Sequence, residues 1–258
     1  MLGAIAGDII GSIYEHHAIK RKEFSLFDPR CRFTDDSVLT IAVAQAILED
    51  GNYRRWVREL GRRYPRAGYG GSFSDWLFAD DPAPYNSWGN GAAMRVSAVG
   101  WAFGDVENVL REAGRTAEMT HNHPEGIKGA QATALAVFLA RTGHSKAAMR
   151  AEVAERFGYD LARTVDGIRP RYRFDISCQG TVPEALICFF DATSYEDTVR
   201  NAVSLGGDSD TLACIAGGVA EAFYGPLPEE MRARVQACLT EELWQITERF
   251  CRRFAAGT

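Results

Sequence analysis

Two short acidic runs, Thr34-Asp35-Asp36-Ser37 and Asp208-Ser209-Asp210-Thr211, share one chemistry although they lie near opposite ends of the chain. Each places two carboxylates and a hydroxyl at the start of an apolar, helix-periodic stretch, so both can direct oxygens from a helix N-terminus into one cavity. Carboxylates gathered in a poorly solvated cleft repel strongly unless cations neutralise them. The runs offer oxygen alone, with no Cys or His, which favours Mg²⁺, Mn²⁺ or Ca²⁺ over zinc. Two runs suggest two ions. Helix capping is the simpler account of either run, because Asp and Thr accept hydrogen bonds from free N–H groups and complement the helix dipole. Capping explains one acid per helix; it explains less well two acids with a hydroxyl, or Gly206-Gly207 before the second run, where missing side chains let backbone approach closely.

Two further segments carry candidate ligand contacts. The loop Tyr85-Asn86-Ser87-Trp88-Gly89-Asn90-Gly91 precedes an expected helix, and its small residues leave N–H groups free for phosphate oxygens. Tyr85 and Trp88 offer faces on which a nucleobase can stack. His121-Asn122-His123-Pro124 precedes another helix, with Pro124 suited to the first turn. His-x-His can bind metal, but the oxygen site is complete without it, and a cap is the competing role for His123.

Helices must position these groups, and nearly every long segment has helical period. Val38 to Leu48 carries a broad apolar stripe, started by Thr34 and stopped by Gly51. Further helices are expected at about 53–63, 91–103, 105–119, 125–142, 145–157, 182–192, 195–205, 210–224, 229–239 and 241–255. Asp105, Ser145, Thr181 (with Glu184) and Ser194 (with Asp197) read as caps, and Gly143, Gly158 and Gly225-Pro226 as stops. Gly3, Gly7 and Gly11, at four-residue spacing, fit a short buried helix packed tightly. Residues 159–176 carry no clear signal; Tyr172-Arg173-Phe174-Asp175-Ile176 alternates weakly, as a short strand or an extended loop would. The expectation is an all-α bundle forming a single domain over 1–258.

A net charge of -5 argues against a nucleic-acid binder, and Arg54, Arg55, Arg58, Arg62 and Arg63 read as the solvated face of a helix. The six cysteines show no CxxC pairing, which fits a reducing cytoplasm. The N-terminus lacks a signal peptide's basic region and is interrupted by Asp8, and no stretch reaches the roughly 18 apolar residues of a membrane span. A cytoplasmic monomer is expected.

Taken together, the motifs resemble the ADP-ribosylglycohydrolase family, which includes dinitrogenase-reductase-activating glycohydrolase. They are Gly7-Asp8 with Gly11-Ser12 and Glu15, Thr34 to Ser37, Gly89-Asn90-Gly91-Ala92-Ala93-Met94-Arg95, Thr120-His121 and Gly206 to Thr211, in order over most of the chain. The resemblance implies an all-α fold with a binuclear magnesium or manganese centre that cleaves the glycosidic bond between ADP-ribose and an acceptor. By that resemblance Thr34, Asp35, Asp36, Asp208, Asp210 and Thr211 are metal ligands. Glu15 matches a glutamate that in some members sits over the metals, and Glu15 or Asp35 takes the proton role. Ser87, Trp88, Gly89, Asn90, Gly91 and His121 then contact ADP-ribose.

The acceptor stays unread. Residues 159–180, expected near the acceptor side of the cleft, match nothing assignable, and Glu15, Asp75 and Asp175 are candidate acids for its rim. Two rivals remain. A non-catalytic, ADP-ribose-binding or structural member would be expected to have lost ligands, whereas all six are present. A metal-dependent phosphoesterase would use the same two-ion logic, and only the order of motifs speaks against it.

Overall fold

A computed structural model describes residues 1–255; the last three residues of the expected 1–258 unit lie outside the described residues. Local sequence signals account for most of its helices. The helix α1 is Leu2–Gly11, α2 is Asp35–Leu48, α3 is Tyr53–Arg63, α4 is Gly71–Phe78, α5 is Gly91–Met94, α6 is Ser97–Ala102 and α7 is Val106–Glu118. In the second half α8 is Pro124–Arg141, α9 is Lys146–Phe157, α10 is Val165–Ile168, α11 is Cys178–Phe190, α12 is Tyr195–Ser204, α13 is Ser209–Tyr224, α14 is Glu229–Cys238 and α15 is Glu241–Phe254. No sheet forms among the described residues, and the fold is all-α. No helix in it is long and apolar enough to cross a membrane.

The expected caps at Thr34, Asp105, Ser145 and Ser194 each accept a backbone N–H from the first turn. His123 caps α8 through the N–H of Glu125. Four expectations change. Residues 91–103 are two short helices, because the chain turns at Arg95 and Val96 to bury the Arg95 side chain. The helix expected at 182 begins at Cys178, with Ser177 as its cap in place of Thr181, and Pro183 lies inside it. Thr181 instead donates to the Asp175 carbonyl and accepts from Asn90. Helices α4 and α10 arise where none was expected.

The core is built on α1, which shares its largest interface with α13. Close approach explains the glycine spacing. A Cβ at Gly3 would lie 2.5 Å from the Gly217 carbonyl, and one at Gly11 would lie 2.5 Å from Asp210 Cα. Every residue of α1 is buried, including Asp8. This contact sets the start of α13, and with it the second acidic run, beside the end of α1 and the start of α2.

Candidate functional site

A cleft of about 560 Å³ opens where these helix ends meet. Glu15, Thr34, Asp35, Asp36, Asp208, Asp210 and Thr211 line one part of it. Thr211 Oγ1 donates to Asp36 Oδ2 at 3.3 Å, which joins the two acidic runs directly. Carboxylate oxygens of Glu15, Asp208 and Asp210 lie within 4.8 Å of one another.

The loop after α1 delivers Glu15, whose Oε2 is 3.6 Å from His16 Nε2. Among the described residues no Lys or Arg forms an ion pair with any of these acids. Burial, followed by repulsion from neighbouring carboxylates, pushes the Asp35 carboxyl up to about 8 and those of Asp36 and Asp210 well above the usual range. Burial also raises Asp208, against the hydrogen bond from Asn90, and it raises Glu15 against the field of His16. Asp36 Oδ1 is buried without a hydrogen-bond partner. Oxygen donors in excess, an orphaned carboxylate oxygen and no cationic side chain among them fit hard divalent cations. The six residues expected as ligands line this one part of the cleft together with Glu15.

Asp8 escaped the sequence reading as a site residue. Its Oδ2 accepts the Thr34 N–H at 2.9 Å, the Ser37 N–H at 3.0 Å and the Ser37 hydroxyl, while Oδ1 accepts the Thr34 hydroxyl at 2.6 Å. Thr34 Oγ1 in turn accepts the Asp36 N–H. Asp8 therefore holds the first turn of α2, and its carboxyl is raised by burial. An acid inside an otherwise apolar, glycine-spaced helix was the available signal.

The opposite part of the cleft is lined by Tyr85, Ser87, Trp88, Gly89, Asn90, Gly91, Arg95 and His121. The loop is pinned at both ends. Tyr85 and Ser87 donate backbone N–H groups to the Thr120 carbonyl, and Gly89 bridges Ser177 antiparallel. Asn90 N donates to Ile176 O at 2.7 Å, and Cys178 N to Trp88 O at 2.9 Å. The weakly alternating segment is thus an extended strap beside the loop. It exposes Phe174 and Ile176 at the cleft next to Trp88, about half of each side chain being accessible. The Asn90 side chain turns inward, donating to Asp208 Oδ2 at 2.7 Å and to Thr181. His121 is buried, and burial, followed by the nearby Arg95 charge, holds its imidazole well below the usual range.

Of the three acids offered for the acceptor rim, the cleft contains Glu15 alone. Asp175 Oδ1 accepts the Ser177 N–H at the start of α11, and Asp75 is exposed on α4. Side-chain direction, which spacing does not carry, separates the three. All six cysteines are free, three of them fully buried.

Comparison with known proteins bears on the family and the fold. The family described as ADP-ribosylglycohydrolase matches residues 1–257. ADP-ribosylhydrolase ARH3 of Xenopus tropicalis is 27% identical, covering 100% of this chain and 96% of its own. The Homo sapiens ADP-ribosylhydrolase ARH3 is also 27% identical, over 87% of this chain and 84% of its own. A solved structure titled ADP-ribosylglycohydrolase-related protein complex superposes with a TM-score of 0.70 at 26% identity, covering 95% of both chains.

Proposed function

The chain belongs to the ADP-ribosylglycohydrolase family, and from that premise we propose that it is a metal-dependent hydrolase which releases ADP-ribose from an acceptor. The acceptor is a modified protein side chain, arginine ahead of serine, or the acetyl group of O-acetyl-ADP-ribose. The observation that carries this reading is one cleft with two chemistries: carboxylates from two distant runs, none paired with a Lys or Arg among the described residues, face a loop that presents the exposed Trp88 ring beside His121.

Thr34, Asp35, Asp36, Asp208, Asp210 and Thr211 would hold two Mg²⁺ or Mn²⁺ ions, which when bound supply Lewis acidity at the sugar end of the cleft. Asp8 keeps the Thr34 hydroxyl and the first turn of α2 in place, and the Asn90 amide orients Asp208. Ser87, Trp88, Gly89, Gly91 and His121 receive the nucleotide portion, with Trp88 exposed for stacking. Glycoside cleavage needs a proton delivered to the departing group as the anomeric bond weakens. Glu15, half-buried at the mouth and raised by that burial, is suited to hold this proton on its carboxyl and pass it on; Asp35 is the second candidate. Loss of a side-chain acceptor then exposes the sugar carbon to water entering from the Glu15 side.

A panel of arginine-, serine- and cysteine-linked ADP-ribosyl substrates with O-acetyl-ADP-ribose, compared by kcat/KM with and without EDTA, tests the assignment. Metal-dependent release from at least one supports it. Release from none of the four overturns it, and a serine preference overturns the ranking of acceptors.

A further inference from the structure

Arg95 is the largest side chain buried completely in the described chain, and no carboxylate pairs with it. It sits in the break between α5 and α6, and its Nη2 donates to the Thr116 carbonyl at 2.6 Å and to Thr120 Oγ1 at 2.9 Å. Its Nε and Nη1 are buried without partners. Burying an uncompensated guanidinium is costly, so the fold retains it against a penalty. What it touches shows a use. Thr120 Oγ1 lies 2.7 Å from His121 Nδ1 and has no other acceptor in reach among the described residues.

A guanidinium only donates. Thr120 must therefore accept from Arg95, which leaves its own proton to be given to His121 Nδ1. Nδ1 is then an acceptor, and the proton of the neutral ring resides on Nε2. That nitrogen makes no hydrogen bond among the described residues; it lies over the loop, 3.1 Å from where a Cβ on Gly91 would be and 3.6 Å from one on Gly89. We propose that Arg95 and Thr120 are positioning residues that lock His121 as the Nε2–H tautomer, presenting a fixed donor and a buried positive field to an anionic oxygen of a nucleoside diphosphate. The pairing with a phosphate oxygen rests on the function proposed above; the tautomer rests on the protein's own hydrogen bonds.

The lock also explains why a neutral ring is useful here. An Nε2–H donor grips a phosphate oxygen without a proton to lose to it, and the buried Arg95 charge attracts the anion while leaving the carboxylate part of the cleft to the cations. Both ends of the ligand are thereby read by charge of opposite sign.

Long-range ¹H–¹⁵N NMR of the imidazoles tests the lock on the ligand-free protein, and calorimetry with ADP-ribose tests its use. Wild type and Thr120→Ser, which keeps the hydroxyl, should show His121 in the Nε2–H pattern with equal affinities. Thr120→Val should lose that single-tautomer pattern and bind ADP-ribose roughly ten-fold more weakly, the scale of one hydrogen bond. A merely structural Thr120 would move the melting temperature and leave the tautomer alone. An Nδ1–H pattern in wild type, or an unchanged pattern in Thr120→Val, overturns the lock. A wild type in the Nε2–H form that fails to bind ADP-ribose refutes the nucleotide reading and its phosphate contact while leaving the tautomer assignment standing.

Discussion

Gly11→Ala should damage the acidic centre without touching an acid. A Cβ at Gly11 would lie 2.5 Å from Asp210 Cα and 2.7 Å from Asp210 N, both backbone atoms of the first turn of α13. Carbon atoms pack comfortably at about 3.5 Å or more, so α1 and the start of α13 must separate by about 1 Å. Overpacking of this kind costs typically 1–3 kcal/mol, and the rigid backbone on both sides puts it near 3. Alanine's better helix propensity returns at most about 1 kcal/mol, so destabilisation wins by about 2 kcal/mol. For a chain of this size that lowers Tm by roughly 4–8 °C. The larger effect is local. Metal sites tolerate ligand displacements of only a few tenths of an ångström, so affinity for Mn²⁺ should fall by at least the ten- to hundred-fold that loss of an outer-shell partner costs.

Gly3→Ala separates the two effects. Its Cβ would meet the Gly217 carbonyl at 2.5 Å, a comparable clash two turns away from the acids. Thermal unfolding should rank both variants below wild type, while calorimetric Mn²⁺ titration should single out Gly11→Ala. Gly71→Ala, with no atom within 4 Å, is the control for substitution itself. Equal metal affinity in wild type and Gly11→Ala would refute the claim that the glycine contact sets the site.

Asp8→Asn turns an amide N–H₂ toward groups that already donate, breaking the anchor of α2; about 3 kcal/mol of stability should be lost, and denaturant titration showing less than 1 would contradict the anchor. Chelated protein should lose stability as pH rises. Asp35, raised by burial to about 8 from an unfolded value near 4, carries more protons folded than unfolded between those limits. Its contribution is therefore fully present below about pH 4 and is lost as pH approaches 8. A melting temperature in EDTA that does not fall from pH 5 to 8, or a fall that excess Mg²⁺ fails to suppress, would count against uncompensated burial of these acids. Trp88→Ala should weaken ADP-ribose binding about ten-fold or more, on the scale of aromatic–base stacking, with metal content unchanged; equal affinities would remove Trp88 from the site.

The helices whose caps and periods agree, such as Asp35–Leu48 behind Thr34 and Lys146–Phe157 behind Ser145, were legible because every signal they need lies within one turn of their ends. Gly71–Phe78 was not, since it follows Gly70 and has no side-chain cap to mark its start. The break at Arg95 was hidden for a different reason: its cause is a hydrogen bond to Thr120, and no local window contains both residues. The same division runs through the site. Carboxylate pairs are conspicuous as residue types, so the six expected ligands could be named from spacing and resemblance. Asp8 does the same work at one remove, and its partners Thr34 and Ser37 are 26 and 29 residues away.

Glycine spacing in α1 carries the argument furthest. Read alone, Gly3, Gly7 and Gly11 indicate close packing against an unknown neighbour. Once that neighbour is α13, the third glycine abuts Asp210, and Asp8, on the same helix, holds Thr34. One short apolar helix thus brings both acidic runs to a common point from opposite ends of the chain. The repulsion among those acids must then be met across an interface made rigid by direct backbone contact. Separating such an interface is costly, so the repulsion is met instead by protons, which the raised carboxyls of Asp35, Asp36 and Asp210 hold, or by the cations of the proposed function. The tight packing that crowds these acids is, by this reasoning, what would prepare them to bind metal in the function proposed above.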